Sequence, residues 1–238
     1  MGQLLKKCPE RNWNMDNWNY EELRQRITKM PTTAVSDALD SIGLMNNTVC
    51  GLFPTWNCGP VFGRAVTCCN IPASGHTQNI HGGFKVSEYV QPGDVVMVGN
   101  EGDIANNGWG GLVSWGAMLK GAVGALVDGA ARDVDEYESM GFPVYAKGLV
   151  CRTARGRMVQ LSVNQPIRFG EAQVRPGDMV YADRNGICII PPDRLLEVIE
   201  IAETLEANES AVIEEMKRGM SAVEASQKAN YEDMLKKQ

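Results

Sequence analysis

The chain has 238 residues, 44% of them hydrophobic and 22% charged, which excludes disorder along its whole length and leaves room for one domain with an extension. A net charge of −6 excludes a broad basic face for nucleic acid, although one arginine and a few backbone amides can still build an anion pocket. Seven cysteines with no C-x-x-C, and only the histidines His76 and His81, argue for buried thiols rather than a disulfide framework, a zinc site or a multi-histidine centre.

Residues 1–18 read as an irregular arm whose Trp13 and Trp18 dock on the body or on a neighbouring subunit. This polar start lacks the apolar core of a secretory signal. No apolar run anywhere approaches the about 20 residues of a membrane span. The expected location is the cytoplasm, with no membrane or nucleic-acid partner. Asn19 is placed to cap a helix from Tyr20 to Lys29, stopped by Pro31. Thr32 or Thr33 is placed to cap a second helix through Ala34, Val35, Ala38, Leu39 and Ile42, ended by Gly43.

From Gly59 the text turns to short β-rich runs. Gly63 to Cys69 reads as a strand, followed by a loop with Pro72, Gly75, Gly82 and Gly83. The turn Gln91-Pro92-Gly93-Asp94 launches a strand Val95 to Val98. A second Pro-Gly-Asp turn, Arg175 to Asp178, precedes Met179 to Ala182, and the pair suggests a barrel-like or sandwich-like mixed sheet. Between the two turns the spacing predicts a helix Leu112–Leu119, a buried strand and turn Gly124–Gly129, a helix Val134–Met140 ended by Gly141, and a strand Phe142–Ala146. Strand, helix and strand at this spacing mean a βαβ unit and an α/β fold. After Pro191-Pro192 ends the last strand, Asp193 is placed to cap a helix Leu195–Met216, broken by Gly219. Ser221 and Glu224 form a capping-box pattern for a final helix to about Leu235. The organisation is an arm with a first helix (1–30), a core domain (31–192) and a helical extension (193–238).

Two segments could carry chemistry. Asn106-Asn107-Gly108-Trp109-Gly110-Gly111 precedes a helix, and glycines there bare backbone amides that bind a carboxylate or phosphate; an ordinary glycine turn is the plain alternative. Asp128 to Glu136 follows the buried strand, where α/β sheets tend to bind ligands. Asp133 and Glu136, at i and i+3, share one helical face and could hold Mg²⁺ or Mn²⁺, while Arg132 could grip a substrate carboxylate. The plain alternative is an arginine and acids around a surface helix. Lys85, Lys120 and Lys147 are the mid-chain choices for a Schiff base, and nothing beside them in sequence lowers a lysine pKa.

Gly111, twenty residues, Arg132-Asp133, two residues, then Glu136: this resembles the G-x20-R-D-x2-E/D motif of the RraA-like family. That family includes the divalent-metal-dependent 4-hydroxy-4-methyl-2-oxoglutarate aldolases. Thr33 to Leu39, Gln91 to Asp94, Val127-Asp128-Gly129, Gly141 to Val144 and Arg175 to Asp178 match in consistent order across roughly residues 30–220. The resemblance implies a β/β/α "swivelling" domain in trimers or hexamers with sites at subunit interfaces. It implies that Arg132 binds the pyruvyl part of a 2-oxo acid and that amides after Gly110 and Gly111, on Leu112 and Val113, hold its carboxylate. It places the metal on Asp133 and suggests a further acid, Glu209, from a neighbouring subunit. The aldolases resemble D-x20-R-D, with an acid where this chain has Gly111; here the acid is Glu136. The implied activity is a carbon–carbon lyase releasing pyruvate by retro-aldol cleavage or by oxaloacetate-type decarboxylation. The competing reading is a non-enzymatic regulator of the ribonuclease E inhibitor type. Trp109, Trp115, His76, His81 and Arg152 are the candidate walls that select the leaving half.

Overall fold

A computed structural model of the chain describes residues 19–74 and 83–229. Trp13, Trp18, His76, His81 and the end of the last expected helix lie outside them.

Two helices come first. Helix α1 (Tyr20–Ile27) begins as expected, with Asn19 Oδ1 accepting the Glu22 amide at 3.3 Å. Helix α2 (Thr32–Ser41) is capped differently from expectation. Pro31 occupies the cap position, and neither Thr32 nor Thr33 caps through its side chain. Asp183 reaches in instead, its carboxylate accepting from the Thr32 amide at 2.9 Å and the Thr32 hydroxyl at 2.5 Å. Burial works to raise the Asp183 pKa, but these bonds and those from Asn185 outweigh it and hold the carboxyl below its usual range. Its stabilising contribution is therefore present above the ordinary aspartate range and lost as pH falls through the depressed value. Asp183→Asn is expected to cost about 1–2 kcal/mol, or roughly 2–8 °C in Tm, at neutral pH. The deficit should shrink in acid; a Tm difference that does not narrow as pH drops would contradict this role.

The strands are β1 (Thr48–Val49), β2 (Phe53–Pro54), β3 (Val61–Pro72), β4 (Asp94–Trp109), β5 (Gly124–Ala131), β6 (Val144–Leu149), β7 (Met158–Val163), β8 (Ile167–Phe169), β9 (Ala172–Val174), β10 (Met179–Ala182) and β11 (Ile187–Ile190). Nine form one mixed sheet in the order β1-β11-β10-β3-β4-β5-β6-β2, with β7 pairing the far part of β3. Strands β3 to β6 run parallel. Helix α3 (Gly83–Ser87) occupies part of the expected loop; α4 (Gly111–Met118) links β4 to β5, and α5 (Val134–Met140) links β5 to β6. The βαβ reading is thus realised twice.

The barrel or sandwich expectation is replaced by this open sheet. The two Pro-Gly-Asp turns launch β4 and β10, which flank β3 on opposite sides, one parallel and one antiparallel. Both turns are built alike: the Gln91 amide donates to Asp94 at 2.9 Å, and the Arg175 amide to Asp178 at 2.7 Å. Similar sequence here marks a repeated turn device, not closure of a barrel.

Side chains alternate across the sheet. One face packs helices α1 to α5 and α6 (Leu195–Lys217). Phe62, Met179, Tyr181 and Ile190 meet α1, α2 and α6. Val96, Val98, Ala125 and Val127 meet α3, α4 and α5. The other face, with Val95, Met97, Leu126 and Val180, packs on the β8–β9 hairpin through Ile167, Phe169 and Val174. The result is hairpin, sheet and helices in three layers, an α/β fold of the β/β/α kind.

At the C-terminal end a short 3-10 turn, Pro192–Arg194, leads into α6, and Asp193 does not cap it. The capping box forms at α7 (Ala222–Lys228): Ser221 Oγ accepts the Glu224 amide, and Glu224 accepts the Ser221 amide. Cys58, Cys68 and Cys188 are buried thiols as expected, whereas Cys50 and Cys151 are exposed. No described helix is long and apolar enough to cross a membrane.

Candidate active site

The segment read as a glycine loop opening a helix is strand as far as Trp109, and its last two glycines do open the helix. Strand β4 runs on to Trp109 along β5, bulging between Gly99 and Asp103, between Asp103 and Asn107, and again before Trp109. A Cβ at Gly129 would lie 2.7 Å from the Asp103 carbonyl oxygen, so glycine there lets the extension close on β5. The extension delivers Gly110 and Gly111 to the N-terminus of α4, at the carboxyl ends of β4 and β5.

The loop after β5 is stitched to this point. The Arg132 amide donates to the Trp109 carbonyl at 3.1 Å, and so does the Tyr137 hydroxyl. Burial pushes the Tyr137 phenol well above its usual range, so it stays a donor. The Trp109 indole donates to Ser114 Oγ at 2.7 Å, and Ser114 donates to the Gly110 carbonyl at 3.0 Å. The Gly111 amide donates to Asp133 Oδ2 at 3.0 Å. Trp109 is therefore a buried brace beneath the site, not an outer wall, while Trp115 is half exposed.

Asp133 does not ride on the helix. It precedes α5 in the left-handed region, at φ 68°, a conformation costing a non-glycine residue about 1 kcal/mol or more. Its carboxylate is thereby turned back towards α4. Glu136, on the first turn of α5, leans to the same place: a Cβ on Gly111 would fall inside its carboxyl group. The two acids converge by this back-folding rather than by sharing one helical face.

Arg132 Nε lies 3.3 Å from Asp133 Oδ2 without forming an aligned hydrogen bond, and it is a buried N–H with no partner. Leaving such a donor unmade costs about 1–3 kcal/mol. Gly110, Asp133 and Arg132 crowd together: a Cβ at Gly110 would lie 2.9 Å from Asp133 Oδ2 and 3.5 Å from Arg132 Nε. The amides of Leu112 and Val113 follow in the first turn of α4, where helix N–H groups lack intrahelical acceptors. Asp133 and Glu136 are open to solvent.

Glu209 does not join them within one chain. It lies on α6 facing α2; burial, then the charges of Glu209 and Asp40, raise the Asp37 carboxyl. Among the described residues no three His, Cys, Asp or Glu side chains gather as a metal-ligand set. Two oxygen donors suit Mg²⁺ or Mn²⁺, which complete their shells with water and substrate oxygens, and do not suit zinc. Lys147 is ion-paired at 2.6 Å with buried Asp128, whose other oxygen accepts the Gly170 amide at 3.0 Å. A paired ammonium is no Schiff-base nucleophile, and Lys85 and Lys120 are exposed.

The family model for RraA-like proteins (Aldolase/RraA) matches residues 32–189. The chain belongs to the RraA-like family. A Halalkalibacterium halodurans relative named "Putative 4-hydroxy-4-methyl-2-oxoglutarate aldolase" is 30% identical over 182 residues, covering 76% of this chain and 82% of that one. Protein DlpA of Legionella pneumophila is 26% identical over 210 residues, 88% of this chain but 34% of that one, so the chain spans about a third of DlpA. Two solved structures share the RraA-like fold. An uncharacterized protein from Pseudomonas syringae pv. tomato superposes with a TM-score of 0.78 at 24% identity, covering 87% of this chain and 94% of that one. Streptomyces coelicolor RraAS2, described as an unusual member of the RNase ES inhibitor RraA protein family, gives 0.69 at 24% identity, covering 83% and 96%.

In this RraA-like chain, Arg132, Asp133, Glu136, Gly110 and Gly111 come together and Glu209 stays apart. Sequence reasoning passed over Ser114 and Tyr137, which brace the junction. Their signal was weak: a serine four residues after Gly110 and a tyrosine four after Asp133, each at helical spacing.

Proposed function

We propose that the chain is a divalent-metal-dependent carbon–carbon lyase acting on a 2-oxo acid, releasing pyruvate by retro-aldol cleavage or by decarboxylation. The observation that carries this reading is the unpartnered Arg132 Nε–H held beside the Asp133 carboxylate at the N-terminus of α4. This Nε is ion-paired with Asp133 but makes no hydrogen bond, so the N–H is free to donate to an arriving anion. The relatives' aldolase names support the same class.

Asp133 and Glu136 would hold Mg²⁺ or Mn²⁺, and such a cation supplies Lewis-acid polarisation of the 2-oxo group. The chain's own residues do the rest. The Leu112 and Val113 amides and the positive end of α4 receive the substrate carboxylate. Arg132 lies across the oxo-acid end and meets negative charge as it develops on the 2-oxo oxygen. When the C3–C4 bond breaks, its electron pair passes into the enolate of pyruvate, and the other fragment leaves as CO₂ or as a carbonyl compound. A proton from solvent then completes C3. Retro-aldol cleavage also requires removal of the 4-hydroxyl proton; decarboxylation does not.

The site is open on the α4 side, where Leu112, Trp115 and Leu119 expose one apolar stripe at i, i+3 and i+7. A trimer or hexamer with an adjoining subunit over this stripe would close the site and could bring in the neighbour's Glu209.

The test couples pyruvate release to lactate dehydrogenase, with oxaloacetate or 4-hydroxy-4-methyl-2-oxoglutarate offered with Mg²⁺ and again with EDTA. Release above a no-enzyme blank that EDTA abolishes is expected, and light scattering on the same sample should give a mass three or six times that of the chain. No release and no metal binding would return the regulator reading to the front.

A further inference from the structure

Asn107 stands at the site and has no part in the account above. It lies near the end of β4 and is only 9% exposed. Its Oδ1 accepts the Trp109 amide at 3.2 Å. A backbone N–H can only donate, so this bond fixes which end of the carboxamide is which. Oxygen faces Trp109, and Nδ2 is turned away from it. Nδ2 lies over Gly110, 3.4 Å from where a Cβ on that glycine would be. Asp133 Oδ2 and Arg132 Nε surround the same point, at 2.9 Å and 3.5 Å.

Three polar groups from two stretches of backbone, the end of β4 and the loop after β5, thus meet where glycine provides no side chain. Two are N–H donors, and the Arg132 donor is buried without a partner. The two donors converge beside the Asp133 carboxylate without a hydrogen bond to it from Arg132, which leaves them able to share a further oxygen acceptor. A carboxamide nitrogen has no lone pair to offer a cation, so Asn107 serves an organic ligand and not the metal.

We propose that Asn107 is a substrate-binding residue: its Nδ2–H and the Arg132 Nε–H together donate to the oxygens of a 2-oxo acid. The inference rests on the lyase reading and deepens it, since it assigns this chain a neutral second donor beside the arginine. The ligand class favoured is a planar oxo-acid or dicarboxylate end presenting two oxygens to two donors. Position 107 then tunes affinity without adding charge.

The test is calorimetric binding of oxalate, a planar dianion shaped like the pyruvate enolate, to the Mg²⁺-loaded protein. Mg²⁺ binding alone is measured in parallel. Asn107→Ala is expected to weaken oxalate about 10-fold. Asn107→Asp keeps the shape and the acceptor for the Trp109 amide but replaces the donor with a negative charge. It is expected to weaken oxalate about 100-fold or more while leaving Mg²⁺ binding intact or tighter. A structural role would not move in that pattern. Unchanged oxalate affinity in both variants, with Arg132→Ala still defective, overturns the assignment and leaves the lyase reading standing. Parallel loss of oxalate binding, Mg²⁺ binding and Tm in Asn107→Asp makes the residue structural and also overturns it. A wild-type protein that binds neither oxalate nor pyruvate overturns both readings.

Discussion

Arg132→Ala is expected to lower pyruvate release by about 10³-fold or more, with the fold intact, because it removes a guanidinium from the oxo-acid end of the site. The side chain is a third exposed and ion-pairs with neighbouring Asp133, so removing it should cost less than about 1 kcal/mol of stability. The Arg132 backbone amide, which ties the loop to Trp109, is untouched by the substitution. Arg132→Lys should recover only part of the loss, since an ammonium keeps the charge and not the planar fork. The comparison is made on kcat/KM beside a thermal melt. Activity within a few-fold of wild type in the alanine variant would remove Arg132 from the mechanism.

The second large effect concerns Gly111 and Glu136. A methyl group at position 111 would occupy the place of the Glu136 carboxyl. Glu136 is exposed, so it can swing away, and the fold should survive Gly111→Ala. The displaced acid should then lower both Mg²⁺ affinity and turnover by about 10-fold or more, an effect of the size seen when a carboxylate leaves a metal or its supporting shell. Glu136→Ala should do the same, and the double variant should be no worse than either single one, because both remove one carboxylate from one place. Gly111→Asp combined with Glu136→Ala returns an acid to that volume from the other side and should recover Mg²⁺ binding. Calorimetry of Mg²⁺ binding across the set decides. Losses that multiply in the double variant would mean that Gly111 and Glu136 act separately.

Local signals in the sequence were legible and distant ones were not. Helix α5, the strand Met179–Ala182 and the capping box at Ser221 depend on residues within a turn or two, and each appears where its pattern placed it. The cap of α2 comes from Asp183, 151 residues away, so threonines beside the helix start were misleading. The extension of β4 from Gly99 to Trp109 has no two-residue alternation, because its register on β5 is carried by bulges. At the site, the set Gly111, Arg132, Asp133 and Glu136 could be picked out through its resemblance to the family motif. The way the acids converge could not: it depends on one left-handed residue, Asp133, and on a side chain leaning over a glycine. Asn107 stood within the glycine-rich segment read for its backbone amides, and nothing beside it in sequence singled out its side chain.

All eight residues of β5 are buried, and the strand is paired on both sides, with β4 and with β6. Buried, doubly paired strands open late in unfolding, so the β5 amides are expected to be among the strongly protected ones in hydrogen exchange. Arg132 and Asp133 are the first two residues beyond β5. Their backbone is anchored directly to this buried, doubly paired strand although their side chains meet water. Ligand capture can therefore draw on groups whose backbone is already ordered, and little conformational entropy is lost there on binding. Adaptation to a new leaving half would then fall to α4 and to whatever neighbours its exposed face, while the chemistry-bearing end of the strand stays fixed.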